Sequence, residues 1–218
     1  MDVKTQDAGR VLLINKPLKW TSFDVVNKLR YKLKTKKVGH AGTLDPLATG
    51  LLIICVGKMT KRIEEFMGQE KEYIGKFMLG QTTPSYDLET AVTKEEDLTE
   101  ITNEMIRNAT LPFIGKISQL PPLHSAIRVG GRRAYEFARE GKQIDLKPRV
   151  IEIQEFEITA IHLPEVSFRI VCSKGTYIRS IARDFGSALQ VGAYLAELCR
   201  TRIGNFKLDA AVSIDQVE

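Results

Sequence analysis

"GHAGTLDPLATGLLIICV", residues 39–56, sets a loop of small residues directly before six consecutive apolar ones, Leu51 to Val56. Six apolar residues fenced by Gly50 and Gly57 are far too few to span a membrane, and they fit a strand buried on both faces. The loop ahead of them has the look of a phosphate cradle. Yet it holds no lysine, and its one acid, Asp45, stands between Leu44 and Pro46 in a chain of net charge +5. Small side chains such as Gly42 and Ala48 leave room for a substrate backbone, and Pro46 stiffens the chain just after the acid. A carboxylate held there can act as a nucleophile or base. It can equally be an ordinary turn, since single Asp-Pro turns are common.

Outward from that stretch, strand and helix patterns mix without regular alternation. Val11–Asn15 reads as a strand, broken at Lys16-Pro17. Ser22 caps a helix from Phe23 to about Leu33, with Val25, Val26, Leu29 and Leu33 on one face. Met59, Ile63, Phe66 and Met67 share a helical face. Glu72–Gln81 alternates as a strand, and polar, acidic 82–98 is a loop. A short helix covers about 102–109. Gln119–Pro122 is rigid and extended, Ser125–Val129 is strand-like, and Gly130-Gly131 turns the chain into a helix from Arg133 to Glu140, ended by Gly141. Arg149–His162 and Val166–Cys172 form a strand pair joined around Leu163-Pro164. Thr176 caps a helix to about Leu189, and Ala193–Arg202 returns to the sheet. The pattern predicts an α+β fold with a largely antiparallel mixed central sheet flanked by helices and loops. A length of 218 residues suits one catalytic domain, without internal repeats or low-complexity linkers.

Composition narrows the function. Residues 1–62 hold 13 Lys/Arg against 4 Asp/Glu, so this third is strongly basic while the rest is net acidic. Lys28, Arg30, Lys32, Lys34, Lys36 and Lys37 lead directly into the Asp45 loop. Such a cluster favours a polyanion such as nucleic acid, or else it is a solvated helix face. Cys55, Cys172 and Cys199 are odd in number and far apart, which argues against disulfides and zinc and for reduced core thiols. The beginning of the chain, MDVKTQDAGR, has no apolar stretch with a cleavage site, so a cytoplasmic protein is expected. Gly57-Lys58 follows a strand, but Gly50 is two positions too far back and Met59 replaces the magnesium-binding Ser/Thr of a phosphate loop.

A carboxylate that works in a dry site needs a cation. Arg179 and Arg183 lie four apart on the helix after Ser173–Thr176, whose N-terminus adds positive potential. They read otherwise as surface arginines. His40, Tyr73 and Tyr177 can stack on an unpaired base or simply pack in the core.

Taken together and in order, these motifs resemble the TruB family, the tRNA pseudouridine-55 synthases. The similarity runs from Asn15-Lys16-Pro17 to Arg202. It is carried by "INKPLKWTS", "GHAGTLDPLATGLLIICVGKMTK", "KEYIGKFMLGQTT" with a following acid, "QLPPLHSAIRVGGRRAYEFAREG" and "VCSKGTYIRSIARDFG". The resemblance implies the pseudouridine synthase fold and an isomerisation without cofactor or metal. It implies that Asp45 attacks the flipped uridine or its sugar while the base detaches, rotates and rejoins through carbon. Tyr73 then stacks on the target base and Arg179 pairs with Asp45. Asp87 contacts the nucleotide, His40 fills the gap left in the RNA, and Tyr177 and Gly42 line the substrate. Leu198 closes the uracil pocket, and Lys16 with Pro17 supports the site from behind. Lys34, Lys36, Lys37 and Arg128 are the expected RNA contacts, with a thumb-like segment at about 119–150. The expected partner is the T arm of tRNA, engaged by a monomer with no obligatory protein partner. Departures lie at the substrate edge: His124 where tyrosine is usual, Arg128 where lysine is common, and Thr90 in place of glycine. No C-terminal RNA-binding domain is evident. Two other readings share these features: a tRNA chaperone with incidental catalysis, and a nucleosidase that uses Asp45 to release uracil.

Overall fold

The computed structural model describes residues 9–218 except Ala126 and Gln143. The absence of an export signal in the first eight residues therefore lies outside the described residues, as does part of the expected 125–129 strand. In chain order the strands and helices are β1 (Arg10–Lys16), α1 (Ser22–Lys32), β2 (Val38–His40), β3 (Ala48–Val56), α2 (Ile63–Met67), β4 (Lys71–Leu79), β5 (Gln81–Thr82), β6 (Lys94–Glu95), α3 (Asn103–Asn108), β7 (Gly115–Gln119), β8 (Arg128–Val129), β9 (Arg132–Arg133), α4 (Ala134–Arg139), β10 (Arg149–His162), β11 (Glu165–Cys172), α5 (Ile178–Ala188), β12 (Ala193–Ile203) and β13 (Phe206–Lys207). The chain forms two compact units: residues 1–74 with 197–218, and residues 75–196. Strands β4 and β12 each run from one unit into the other.

The first unit is built on β3. β1 pairs with it antiparallel from Arg10↔Val56 to Lys16↔Gly50, β2 adds antiparallel beyond, and β12 pairs parallel at Leu198↔Ala48 to Arg200↔Gly50. The apolar run alternates between two cores. Leu52, Ile54 and Val56 pack with Val25, Val26 and Leu29 of α1, whereas Leu51, Ile53 and Cys55 pack with Ala41, Phe66 and Ile203. A strand covered on both faces has no use for polar residues, which is why this one reads as a continuous apolar run. The strand starts at Ala48, three residues earlier than its apolar run suggests, because pairing with β12 extends the ladder into the loop.

The second unit holds the long β10–β11 hairpin, paired from Ile153↔Cys172 to His162↔Glu165, with β7 antiparallel on the other side of β10. β7 was not visible in the sequence, where Gly115–Ser118 lacks a clear alternation. Its core is an aromatic cluster in which Phe77 stacks on Phe168 at 4.1 Å, with Phe113, Phe156 and Phe185 around them. Aromatic rings bury large areas and favour such offset and edge contacts. The expected 82–98 loop contains the small β5–β6 pair, and Gly130-Gly131 turns between β8 and β9.

Two helix caps differ from expectation. Thr21 caps α1, not Ser22. Its hydroxyl accepts from the Asp24 amide at 3.0 Å while Asp24 accepts from the Thr21 amide at 2.8 Å, a reciprocal capping box. Thr176 does not cap α5. Its hydroxyl donates to the Ser173 carbonyl at 3.0 Å, and the cap residue is Tyr177, with no side-chain hydrogen bond. Cys55 and Cys172 are buried and Cys199 is half-buried.

Candidate active site

The site residues fall into two groups, one in each unit. In the first, the Asp45 loop runs from β2 into β3. Its entry is tethered by Ser22, whose hydroxyl accepts from the Leu44 amide at 2.8 Å and donates to the Leu44 carbonyl at 3.2 Å. Freed from capping, Ser22 spends both of its hydrogen-bonding functions on the residue before the acid. The apex closes on itself through the Ala48 amide, which donates to the Asp45 carbonyl at 3.0 Å, and the Lys19 amide donates to the Pro46 carbonyl at 2.8 Å.

Beneath the loop sit two buried cations. Lys16 is fully buried, and its ammonium donates to the carbonyls of Trp20 at 2.5 Å, Pro17 at 2.9 Å and Pro46 at 3.4 Å. Burial pushes its pKa down to about 8; the Asp45 carboxylate pulls it back up and Arg200 pushes it further down. Removing an ammonium from water disfavours its charged form, and the carboxylates of Asp45 and, more weakly, Asp24 oppose that. Arg200, the second cation, donates from Nε to the Leu51 carbonyl at 2.8 Å, from Nη2 to Gly42 at 3.2 Å and from Nη1 to Thr43 at 3.4 Å.

The loop's glycines answer to the chain itself. Gly50 has φ +101°, and a Cβ there would lie 2.4 Å from the Arg200 carbonyl oxygen; Gly42 has φ +97°. A left-handed backbone pressed against a neighbouring strand admits only glycine. Ala41 and Ala48 are likewise buried, at 0% and 2% exposure. Much of the smallness read as room for a nucleotide is thus used by β12.

The other members of this group are placed as follows. His40 lies half-buried on β2; burial, then Arg200, lowers its pKa, so the ring is neutral at pH 7. Its Nδ1 is buried without a hydrogen-bond partner among the described residues. Leu198, half-buried on β12, is in register with Ala48. Tyr73 is a buried residue of β4. Lys34, Lys36 and Lys37 are exposed between α1 and β2, with Lys34 at φ +49°.

In the second unit, Arg179 and Asp87 form a buried ion pair, Nε to Oδ2 at 3.5 Å, with side chains 4% and 7% exposed. Arg179 also donates to the Ser85 carbonyl at 3.3 Å and to the His124 carbonyl at 2.9 Å. A buried pair persists only when its remaining donors and acceptors are satisfied. Here the Asp87 turn is braced by Thr83 and Ser85, which donate to the Asp87 carbonyl at 2.6 and 3.1 Å. Thr90 lies within hydrogen-bond distance of the Ser85 hydroxyl at 2.8 Å, so its departure from glycine serves the turn. Tyr177 is pinned by its backbone to Gln119: its amide donates to Oε1 at 2.9 Å and its carbonyl accepts from Nε2 at 3.1 Å. Arg183 packs over the Tyr86 ring at 5.1 Å and bonds Asp184 at 2.7 Å. Arg128 is exposed on β8.

Sequence reasoning missed Arg200, Ser22 and the Ser85–Thr90 brace. For Arg200 the signal was a charged residue at an inward position of a strand; for the others there was none. Among the described residues no three His, Cys, Asp or Glu side chains gather as a metal site, and no helix is long and apolar enough to cross a membrane.

Residues 30–178 match the model of the TruB family pseudouridylate synthase N-terminal domain. The tRNA pseudouridine synthase B of Parabacteroides distasonis is 52% identical, with 97% of this chain and 92% of that protein aligned. The protein of the same name from Flavobacterium johnsoniae is 54% identical over 96% of this chain and 95% of its own length. Among solved structures, a Cbf5–Nop10–Gar1 complex is similar with a TM-score of 0.74 and 29% identity. The match covers 96% of this chain, which spans about half the length of that one (54%).

Proposed function

Because this chain belongs to the TruB family of pseudouridylate synthases, we propose that it isomerises uridine to pseudouridine in tRNA, at position 55 of the T arm. The observation that carries the reading is a single carboxylate, Asp45, on a loop clamped from beneath by Lys16 and Arg200. Asp45 is the nucleophile. The reaction breaks the N1–C1′ bond, forms C5–C1′, releases the C5 proton and protonates N1, so atoms and electrons balance with no co-reactant.

The target base must leave its stack, which costs a few kcal/mol. Tyr73 offsets this by stacking on the base. His40, neutral and therefore free of a desolvated charge, fills the gap in the RNA. Leu198 and Gly42 line the uracil, with Tyr177 on the substrate side. Arg179 is the catalytic cation and Asp87 the acid that contacts the nucleotide. Lys16 supports the loop apex. Lys34, Lys36, Lys37 and Arg128, with the 119–150 segment, hold phosphates. The protein acts as a cytoplasmic monomer.

The test is tritium release from unmodified tRNA carrying tritium at uracil C5, followed by mapping of the product. Release with pseudouridine at one T-arm position supports the reading. Free uracil in place of pseudouridine makes the protein a nucleosidase. Tight binding without release leaves it a chaperone.

A further inference from the structure

Arg200 is 1% exposed and spends its guanidinium on the Asp45 loop. Its three hydrogen bonds straddle the acid. Two reach the carbonyls of Gly42 and Thr43 before it, and one reaches the Leu51 carbonyl after it. Gly50, after the acid, is shaped to this residue as well: a Cβ there would lie 2.4 Å from the Arg200 carbonyl oxygen. Arg200 thus holds both sides of the acid through hydrogen bonds, and at Gly50 through close backbone packing.

Arginine suits the task chemically. Its charge is permanent and its donors sit in a planar fork, so it can address two arms of a loop at fixed angles. Lys16 holds only the apex, at Pro46. With Arg200 absent, the buried Leu51 carbonyl and the partly buried carbonyls of Gly42 and Thr43 would lose this donor, and the two arms would be free to separate.

We propose that Arg200 is a positioning residue of the reaction: by clamping both arms of the loop it fixes where the Asp45 carboxylate stands against the reacting carbon. This rests on the reading of Asp45 as nucleophile. A displacement of about 1 Å at a reacting group lowers rates by roughly a hundredfold, so the clamp acts on turnover and leaves binding alone.

The experiment compares wild type, Arg200→Lys, Arg200→Gln and Ile214→Ala. Ile214 lies in the core packed against α1, so Ile214→Ala is a control that lowers stability without removing a bond of the clamp. Single-turnover tritium release gives the rate at saturating tRNA, filter binding gives Kd, and all are measured below the lowest melting temperature. For Arg200→Lys the rate falls roughly thirty- to a hundredfold with Kd within about threefold. Arg200→Gln, which keeps hydrogen-bond donors but loses the three-way fork, shows the same split, and Ile214→Ala keeps the wild-type rate. If Arg200→Lys does not fold, Arg200→Gln decides alone. A rate within about threefold of wild type in the folded clamp variants, or a loss equal to that of Ile214→Ala at equal melting temperature, overturns the inference. Wild-type protein that releases no tritium removes the reaction and the inference with it, whereas active wild type with an unimpaired Arg200→Lys removes the inference only.

Discussion

The Asp45 loop and the Arg128–Lys142 segment are both short stretches rich in glycine, and they are built in opposite ways. In the loop, Ala41, Leu44, Ala48 and Gly50 are buried, and backbone carbonyls on both arms are held by buried cations. From Arg128 to Lys142 only Ala134 is buried among the described residues. What holds that segment is surface charge: Arg132 with Glu136 and Glu140, Lys142 with Glu140, Arg139 with Glu89, and arginines over Phe137 and Tyr135. Exposed pairs of this kind contribute little and weaken with salt. Segments with few buried contacts open locally at low free energy. The difference matches what each proposed role needs. A nucleophile must stand in one place; a surface that follows an RNA backbone gains from yielding.

The contrast breaks first at turnover. Asp45→Asn lowers tritium release roughly a thousandfold or more with tRNA Kd nearly unchanged, whereas Arg128→Ala leaves the rate at saturating tRNA intact and weakens binding severalfold. A residual rate near wild type in Asp45→Asn would falsify the assignment of the nucleophile.

The two glycine-rich stretches are next compared by stability. Gly50→Ala drives a Cβ into β12, while Gly131→Ala, at φ +86° with nothing within 4 Å of a Cβ, meets only backbone strain. Urea unfolding should show a loss of about 3 kcal/mol or more for the first and about 1 kcal/mol for the second. Equal losses would mean that the approach of β12 is not what demands glycine at position 50.

A third comparison uses pH. The folded pKa of Lys16, about 8, lies below its ordinary 10.5. Between those values the unfolded chain binds the extra proton, so unfolding free energy rises with pH through that window. Below about pH 8 Lys16 is charged in both states and the slope vanishes. The difference in unfolding free energy between wild type and Lys16→Met should therefore shift in favour of wild type from pH 8 to 10.5. A difference that is flat across that range would show that Lys16 keeps its ordinary pKa.

The smallest effect is at the surface. Neutralising Lys34, Lys36 and Lys37 together should weaken tRNA binding and flatten its salt dependence, because fewer counterions are released. An unchanged slope of log K against log salt places this cluster away from the RNA.

Much of the fold was legible because its signals are local. The β3 run, the β10–β11 alternation and the Gly130-Gly131 turn each follow from neighbours in the chain. β7 escaped because its pattern is short and its identity comes from pairing with β10. The caps escaped for a related reason. Thr21 and Ser22 are equally able to cap, and what selects Thr21 is that Ser22 is bonded to Leu44, 22 positions away. In the site, the resemblance could place Asp45, Tyr73 and Arg179 by motif. It could not give the partners of Arg179 in its own unit, which are Asp87 and the carbonyls of Ser85 and His124.

By itself the sequence determined the α+β class, the strand buried on both faces, the basic first third and the loop that carries Asp45, because apolar periodicity, glycine and charge act over a few residues. Only the tertiary structure decided that Gly50 fits against β12, that Lys16 is buried with a depressed pKa, and that Arg200 grips Gly42 across 158 positions of chain. A buried charge must find its partners wherever the fold brings carbonyls within reach, and no local pattern records which ones those are.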